Sequence, residues 1–281
     1  MTTHRRSKGF DRPRFLWVVV AAVMTLMFTP LAVVVLFSFN SSRSLVNFTG
    51  FSTQWYHQAL TSGEWHASLQ ASIQIAVVTT IVCTIVGTLL ALGLQRGPRA
   101  ATAPIDSTIV VRLVAPETAT AVATLLLFSQ LGVVLGNRTI ELAMIAFCIP
   151  FVTVVVRSRL ASINPEVEQG ALDLGATPAG ALRLVVLPLL WPSIAAAAML
   201  CFVLTFDDFV TANFTAGIGD PPLPLRIYSM LRFGVTPVVN AIGVLMMMIA
   251  LSCVCVALVM LRVSRRRTAA QPRRLEVADG D

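Results

Sequence analysis

An all-α, polytopic membrane protein with six transmembrane helices is the fold class this sequence predicts, and three observations predict it. Of its 281 residues, 56% are hydrophobic and only 12% are charged, about half the charged share of an average soluble domain. Apolar runs long enough to cross a hydrocarbon core, which takes about 20 residues, recur along the chain. The arginines gather at the edges of those runs, where they act as topology signals.

In chain order the spans read Phe15 to Phe39, Ala67 to Leu94, Val110 to Leu135, Ile140 to Val156, Pro188 to Phe209 and Val238 to Leu261. The first follows a basic stretch (Arg5, Arg6, Lys8, Arg12, Arg14). It exceeds a signal-peptide core and lacks a small-x-small cleavage site, so it is expected to stay as a membrane helix. The domain plan is a basic tail over 1–14, a six-helix domain over 15–262 and a second basic tail over 263–281. Beyond Leu261 the tail is polar and without periodicity, which predicts no folded structure there.

Six spans place both termini on one side. With the termini and the even-numbered loops inside, the basic residues divide seventeen to four, only Arg43, Arg138, Arg226 and Arg232 lying outside. That bias predicts cytoplasmic termini for a multi-pass protein of a cell membrane. The net charge of +7 is therefore spent on topology and lipid contact, with no nucleic acid implied.

Several chemistries are missing. Lys8 is the only lysine, so no GxxxxGK[ST] nucleotide loop exists downstream of it. The three histidines, His4, His57 and His66, lie in the amino tail and the first outer loop, leaving no HExxH metal helix and no Ser/His pair inside the membrane. Cys83, Cys148, Cys201, Cys253 and Cys255 lie in apolar stretches without metal-ligand spacing and read as small hydrophobes. Met246, Met247 and Met248 read as packing residues. An enzyme is not expected, nor a cofactor or metal. Transport, scaffolding or signalling remains, and within transport a self-sufficient secondary carrier is one of the readings left open.

The connection between spans four and five, 157–188, is long and carries marks of two helices. Asn164 is placed to cap the first, Pro165 fits its first position, and Glu166 and Glu168 favour the positive end of its dipole. Gly175 is suited to a left-handed terminator, and Thr177 with Pro178 repeats the start signal for a second helix ending near Leu187 and Pro188. Val167, Ala171 and Leu174 share one side of the first helix, which suits docking into a groove of another protein or lying among lipid headgroups.

The segment EQGALDLGATPAGALRLVVLP, Glu168 to Pro188, resembles the EAA signature of type I ATP-binding-cassette (ABC) importer permeases through Gly175, Val185, Leu187 and Pro188. The resemblance implies the MetI-like permease fold with a cytoplasmic coupling helix that seats in an ATPase subunit. Coupling contacts would then fall on Glu168, Gln169, Gly170, Ala171, Asp173, Gly175, Leu187 and Pro188. Gln169, Gly170 and Ala171 stand where the signature has Glu-Ala-Ala, a departure that points to an altered ATPase contact. A second stretch, Leu204 to Ile242 with FDDF, LPLRIYSM and RFGVTP, resembles the spermidine/putrescine importer permeases of the PotC type. FSFNSSRS, GFSTQWY and the Pro116-Glu117 pair extend the similarity. The implied partners are cytoplasmic ABC ATPase subunits, a second permease subunit of the PotB type and an extracytoplasmic solute-binding protein. Related permeases carry phosphonates, opines and other small solutes, so the residues leave the solute open.

Acidic residues within membrane helices cost about 2.5–3.5 kcal/mol on insertion scales and normally face a cavity or a partner. Asp207 and Asp208 lie near the outer end of span five. On a straight third span Glu117 falls some seven residues in, about 10 Å deep at the helical rise. The three acids are expected to line a path for amines at successive depths. The plainer alternatives are an interfacial, solvated Asp207 and Asp208 and a structural pair of Glu117 with Arg112.

Overall fold

The computed structural model of the protein describes residues 14–44, 46–232, 234 and 236–269. Residues 1–13 and 270–281, which hold most of the two basic tails, lie outside the described residues. Among the described residues the structure is helical, and its one extended pairing is an isolated bridge between Asn40 and Phe51. The chain divides into two compact units, one of residues up to Leu60 with Gly234–Leu245, the other of Thr61–Phe233 with the residues from Met246 onward.

In the first unit, α1 (Arg14–Ser38) is apolar on every side and none of its most hydrophobic window is buried by protein. Such a helix needs lipid or another chain around it. The loop that follows folds around the buried Asn40. Its carboxamide donates to the carbonyls of Ser44 (2.7 Å) and Asn47 (2.9 Å) and accepts from the Thr49 N–H (2.9 Å). Trp55 of α2 (Gln54–Thr61) closes the loop by donating its indole N–H to the Asn40 carbonyl at 2.6 Å. The FSFNSSRS and GFSTQWY stretches are thus one folded module.

The second unit begins with α3 (Gly63–Arg96), longer than a bilayer core requires. The straight third span expected from hydropathy is not present. Two helices, α4 (Arg99–Val114) and α5 (Glu117–Gln130), replace it and are bent by 112° at Ala115 and Pro116. Proline lacks the N–H that would continue the ladder and disfavours helical geometry at the residue before it; Ala115 accordingly adopts φ −61°, ψ 135°. Among the described residues five helices are long and apolar enough to cross a membrane, or six crossings when the bent pair counts as one.

The fourth crossing is α6 (Asn137–Ala161), which packs along α3. Gly87 permits this approach, since a β-carbon there would lie 2.7 Å from Val152 Cγ1. After α7 (Pro165–Asp173) and the single turn α8 (Pro178–Ala181), the chain does not stop at Pro188 as expected. A π-turn over Leu182–Val186 leads directly into α9 (Leu187–Phe206), with the Leu187 N–H donating to the Leu182 carbonyl. The wider turn leaves room for the Pro188 ring against the preceding coil. The core of the unit lies between α3, α6 and α9, where Cys83, Met144, Cys148, Leu190 and Cys201 are fully buried. Those three cysteines are core residues, whereas Cys253 is half-buried and Cys255 exposed.

Two short helices, α10 (Val210–Thr215) and α11 (Leu223–Leu231), precede the last, α12 (Pro237–Ala269). The apolar part of α12 ends at Arg262, but its backbone stays helical to Ala269, into the tail for which no structure was expected. A formed helix propagates at little cost through good helix formers such as Arg265, Arg266 and Arg267.

Candidate functional site

Asp207 and Asp208 occupy the break between α9 and α10. Asp208 is buried, 8% exposed, and its carboxylate accepts from the N–H groups of Thr211 (3.3 Å) and Ala212 (3.0 Å), fixing the start of α10. α10 packs on α5, which begins with Glu117, and the Asp208 carboxyl faces the Glu117 carboxyl. Two facing carboxylates repel when both are ionised. They settle by sharing a proton or by enclosing a cation.

This arrangement revises the expected path. Glu117 is not seven residues along a straight span but is the first residue after the bend, and it meets Asp208 at one level rather than at a separate depth. Asp207 is exposed, unlike the buried Asp208 beside it. Arg112, the structural partner considered for Glu117, donates instead to Thr120 Oγ1 at 3.0 Å and lies 4.5 Å over the Phe147 ring. It remains the nearby cation, close enough to feel the Glu117 charge.

Beside this pair, α11 is held against the start of α3. The Leu223 N–H donates to Ser72 Oγ (2.7 Å), and Arg226 donates to Ser68 Oγ (2.9 Å) and Glu64 (3.0 Å). Phe209, next in the chain after Asp208, packs on Tyr228 of α11 with ring centroids 4.5 Å apart. A groove of about 580 Å³ runs along another face of α3, where His66, Gln70 and Gln74 stand among Ile73 and Val77.

At the opposite end of α3, the connection at 157–188 is built as its residues predict. Asn164 Oδ1 accepts from the Glu166 N–H at 3.1 Å and Pro165 opens α7. Gly175 ends it with φ +89°, its N–H donating to the Leu172 carbonyl and that of Ala176 to the Ala171 carbonyl. This reciprocal pair is the Schellman arrangement, which places glycine in the left-handed region. No residue of α7 is buried, and Val167 and Leu174 expose their side chains. Gln169, Asp173, Gly175, Leu187 and Pro188 are exposed, and Gly170 and Ala171 are half-buried. Glu168 receives Arg96 of α3 at 2.6 Å, so the acid expected to meet an ATPase has a partner within its own chain.

The model of a family described as binding-protein-dependent transport system inner membrane component matches residues 108–269, more than half of the chain. The chain belongs to that family. As a member, it is a multi-pass inner-membrane permease of a binding-protein-dependent ABC transport system, a transport subunit and not itself an enzyme. Among its relatives, the spermidine/putrescine transport system permease protein PotC of Escherichia coli (strain K12) is 34% identical over 232 residues, covering 83% of this chain and 88% of that protein. The Haemophilus influenzae protein of the same description is 33% identical over 248 residues, 88% and 95% of the two chains. The putrescine transport system permease protein PotI of Escherichia coli (strain K12) is 34% identical over 240 residues, 82% and 85%. Solved structures give the fold. A bacterial ABC transporter for import of the acidic polysaccharide alginate matches at a TM-score of 0.64 and 14% identity, over 91% of this chain and 96% of that one. An inward-facing methionine ABC transporter matches at 0.55 and 15%, over 75% and 97%.

The permease also holds charged contacts that reading along the sequence did not identify. Arg157 of α6 grips Asp106 of α4 through both carboxylate oxygens, and Arg96 reaches Glu168 across 72 positions. Glu141, buried near the start of α6, pairs through one oxygen with Arg138 while the other has no partner among the described residues. Sequence separation hides the first two. The third was visible as an acid at the edge of span four.

Proposed function

We propose that the chain is the permease subunit of an ABC importer that carries a polyamine, spermidine or putrescine, into the cytoplasm. The observation that carries this reading is the meeting of Glu117 and Asp208 at two helix breaks, since a facing pair of carboxyls is a site for a cation. The identity to permeases described for spermidine and putrescine supports it. Asp207, exposed in the same break, adds negative charge on the approach.

In this reading both termini are cytoplasmic, as the distribution of arginines favours. The helix α7 is the coupling helix, its exposed Val167 and Leu174 entering an ATPase subunit that supplies the hydrolysis. A second permease of the PotB type completes the pathway and covers surfaces this chain leaves bare. The exposed carboxamides of Gln70 and Gln74, which line the groove on α3, support that covering, because each would cost about 2–7 kcal/mol against hydrocarbon without a hydrogen-bond partner. An extracytoplasmic binding protein delivers the solute to the end of the bundle that carries α11.

The solute is tested by competition. Uptake of labelled putrescine is measured in cells whose only polyamine importer contains this chain, with unlabelled spermidine, an alkylphosphonate or an opine in excess. Spermidine alone should compete. Inhibition by the phosphonate or the opine, without inhibition by spermidine, would overturn the assignment.

A further inference from the structure

Charge, more than apolar packing, holds α4 to the bundle. The helix buries only Thr102 and Ile109, and the half-buried Asp106 and Arg112 complete one seam with them at positions i, i+4, i+7 and i+10. Both charged members of the seam meet α6. Arg157, four residues before α6 ends, donates to both carboxylate oxygens of Asp106, through Nη2 at 3.3 Å. Arg112 lies over Phe147 of α6 and, across the bend, donates to Thr120 Oγ1 of α5 at 3.0 Å. On its other sides α4 exposes Ile105, Val110, Val111 and Val114.

Both ends of α4 reach functional groups. At its start, a β-carbon on Gly97 would lie 2.9 Å from the Gly93 carbonyl oxygen and from Thr102 Cγ2, so α4 begins tightly against the last turn of α3. That turn carries Arg96, which holds Glu168 of α7 at 2.6 Å. At the far end the chain bends at Ala115 and Pro116, and the next residue is Glu117, facing Asp208. α4 is thus a rod of 16 residues, about 24 Å long at the helical rise, tied to α7 at one end and to the acid pair at the other. The bond from Arg112 to Thr120 braces the bend, so a displacement of α4 is carried into α5 instead of being absorbed at the proline.

We propose that α4 is a lever joining the coupling connection to the acid pair, with Asp106 and Arg157 as positioning residues that hold it in register along α6. When the ATPase moves α7, Arg96 draws the start of α4 and Glu117 parts from Asp208. A cation enclosed by two carboxyls is then left with one, and its hold weakens. The inference rests on reading the acid pair as a cation site and α7 as the ATPase contact, and supplies the link between them. An ion pair whose partners are each about a third exposed suits such a seam, because it is weak enough to part and re-form in each cycle.

The test counts ATP hydrolysed per putrescine taken up by the assembled transporter in proteoliposomes, together with the KM for uptake and the thermal midpoint in detergent. Asp106→Asn and Arg157→Gln should each raise that ratio about three- to fivefold, the weight of a part-exposed ion pair, with KM within about twofold of the unaltered chain. Exchanging the two, Asp106→Arg with Arg157→Asp, should bring the ratio back toward its unaltered value. Thr120→Val keeps the shape of the side chain and removes the hydroxyl that Arg112 holds; it should raise the ratio too, and it decides the matter if the Asp106 and Arg157 variants do not reach the membrane. An unchanged ratio, whatever the thermal midpoint does, makes the Asp106–Arg157 pair a structural contact only and overturns the lever. A raised KM with an unchanged ratio would make Asp106 a contact of the solute and overturn it as well. If Glu117→Gln and Asp208→Asn leave uptake intact, the cation-site reading itself fails; if they impair it and Asp106→Asn leaves the ratio unchanged, only the lever fails.

Discussion

Replacing Asp208 by asparagine separates the charge of the acid pair from its shape. The carboxylate accepts from the N–H groups of Thr211 and Ala212, and an asparagine keeps one of these bonds while turning its NH2 toward the other donor. One lost bond costs about 1 kcal/mol and is confined to the first turn of α10, so assembly should survive. Transport should suffer more. An ammonium 4 Å from a carboxylate at an effective dielectric constant of 20 gains about 4 kcal/mol, and a third of that is a tenfold loss in kcat/KM. Glu117→Gln should lose a similar factor. Because the carboxyls face each other, the double variant should fall well short of the product of the two losses. The assay is ATP-driven putrescine uptake normalised to permease in the membrane. Uptake within twofold of the unaltered chain for both single variants, or multiplication of their losses in the double variant, would refute a shared site.

Two other expectations follow from the packing. Gly87→Leu forces side-chain atoms into the space of Val152 between α3 and α6, where even a β-carbon would come within 2.7 Å. It should destabilise by about 1–3 kcal/mol and lower the thermal midpoint in detergent by several degrees, with partial recovery on adding Val152→Ala; an unchanged midpoint would contradict the close contact. Arg96→Glu or Glu168→Arg should each reduce ATPase stimulation by the binding protein several-fold with little loss of stability, since a part-exposed ion pair is worth at most about 1 kcal/mol. The exchanged pair should restore stimulation if the bridge positions α7. A failure of the exchange would instead assign Glu168 to direct contact with the ATPase.

The features legible in the sequence were those whose causes are local. Asn164, Pro165, Gly175 and Thr177 act on backbone groups within a few residues, so the plan of α7 and α8 could be read directly and the structure has the same caps. The bend at Pro116 was equally local, yet hydropathy averaged over a window joined two apolar helices into one span. That error placed Glu117 seven residues along a straight span, whereas it is the first residue of α5. Glu117 and Asp208 were legible as acids but not as a pair, because the packing of α10 on α5 unites residues 91 positions apart. The Arg96 bridge to Glu168 had no signature either, since its two ends are joined only by the return of the chain after α6. Tyr228 and Arg232, four apart on one helix, stood at a spacing that permits contact, whereas the packing of Phe209 on Tyr228 is made only by the fold.

Uptake by a defined assembly tests the account at its centre, a permease that borrows its engine and carries a cation. The chain, a second permease and the ATPase subunits are reconstituted in proteoliposomes with ATP on the ATPase side and the loaded binding protein on the other, and labelled putrescine is followed. The account predicts accumulation that requires ATP and both protein partners, that persists in the presence of a protonophore, and that falls at least tenfold with Glu117→Gln or Asp208→Asn. Accumulation without the ATPase, or its collapse on adding the protonophore, would contradict it and make the chain a secondary carrier.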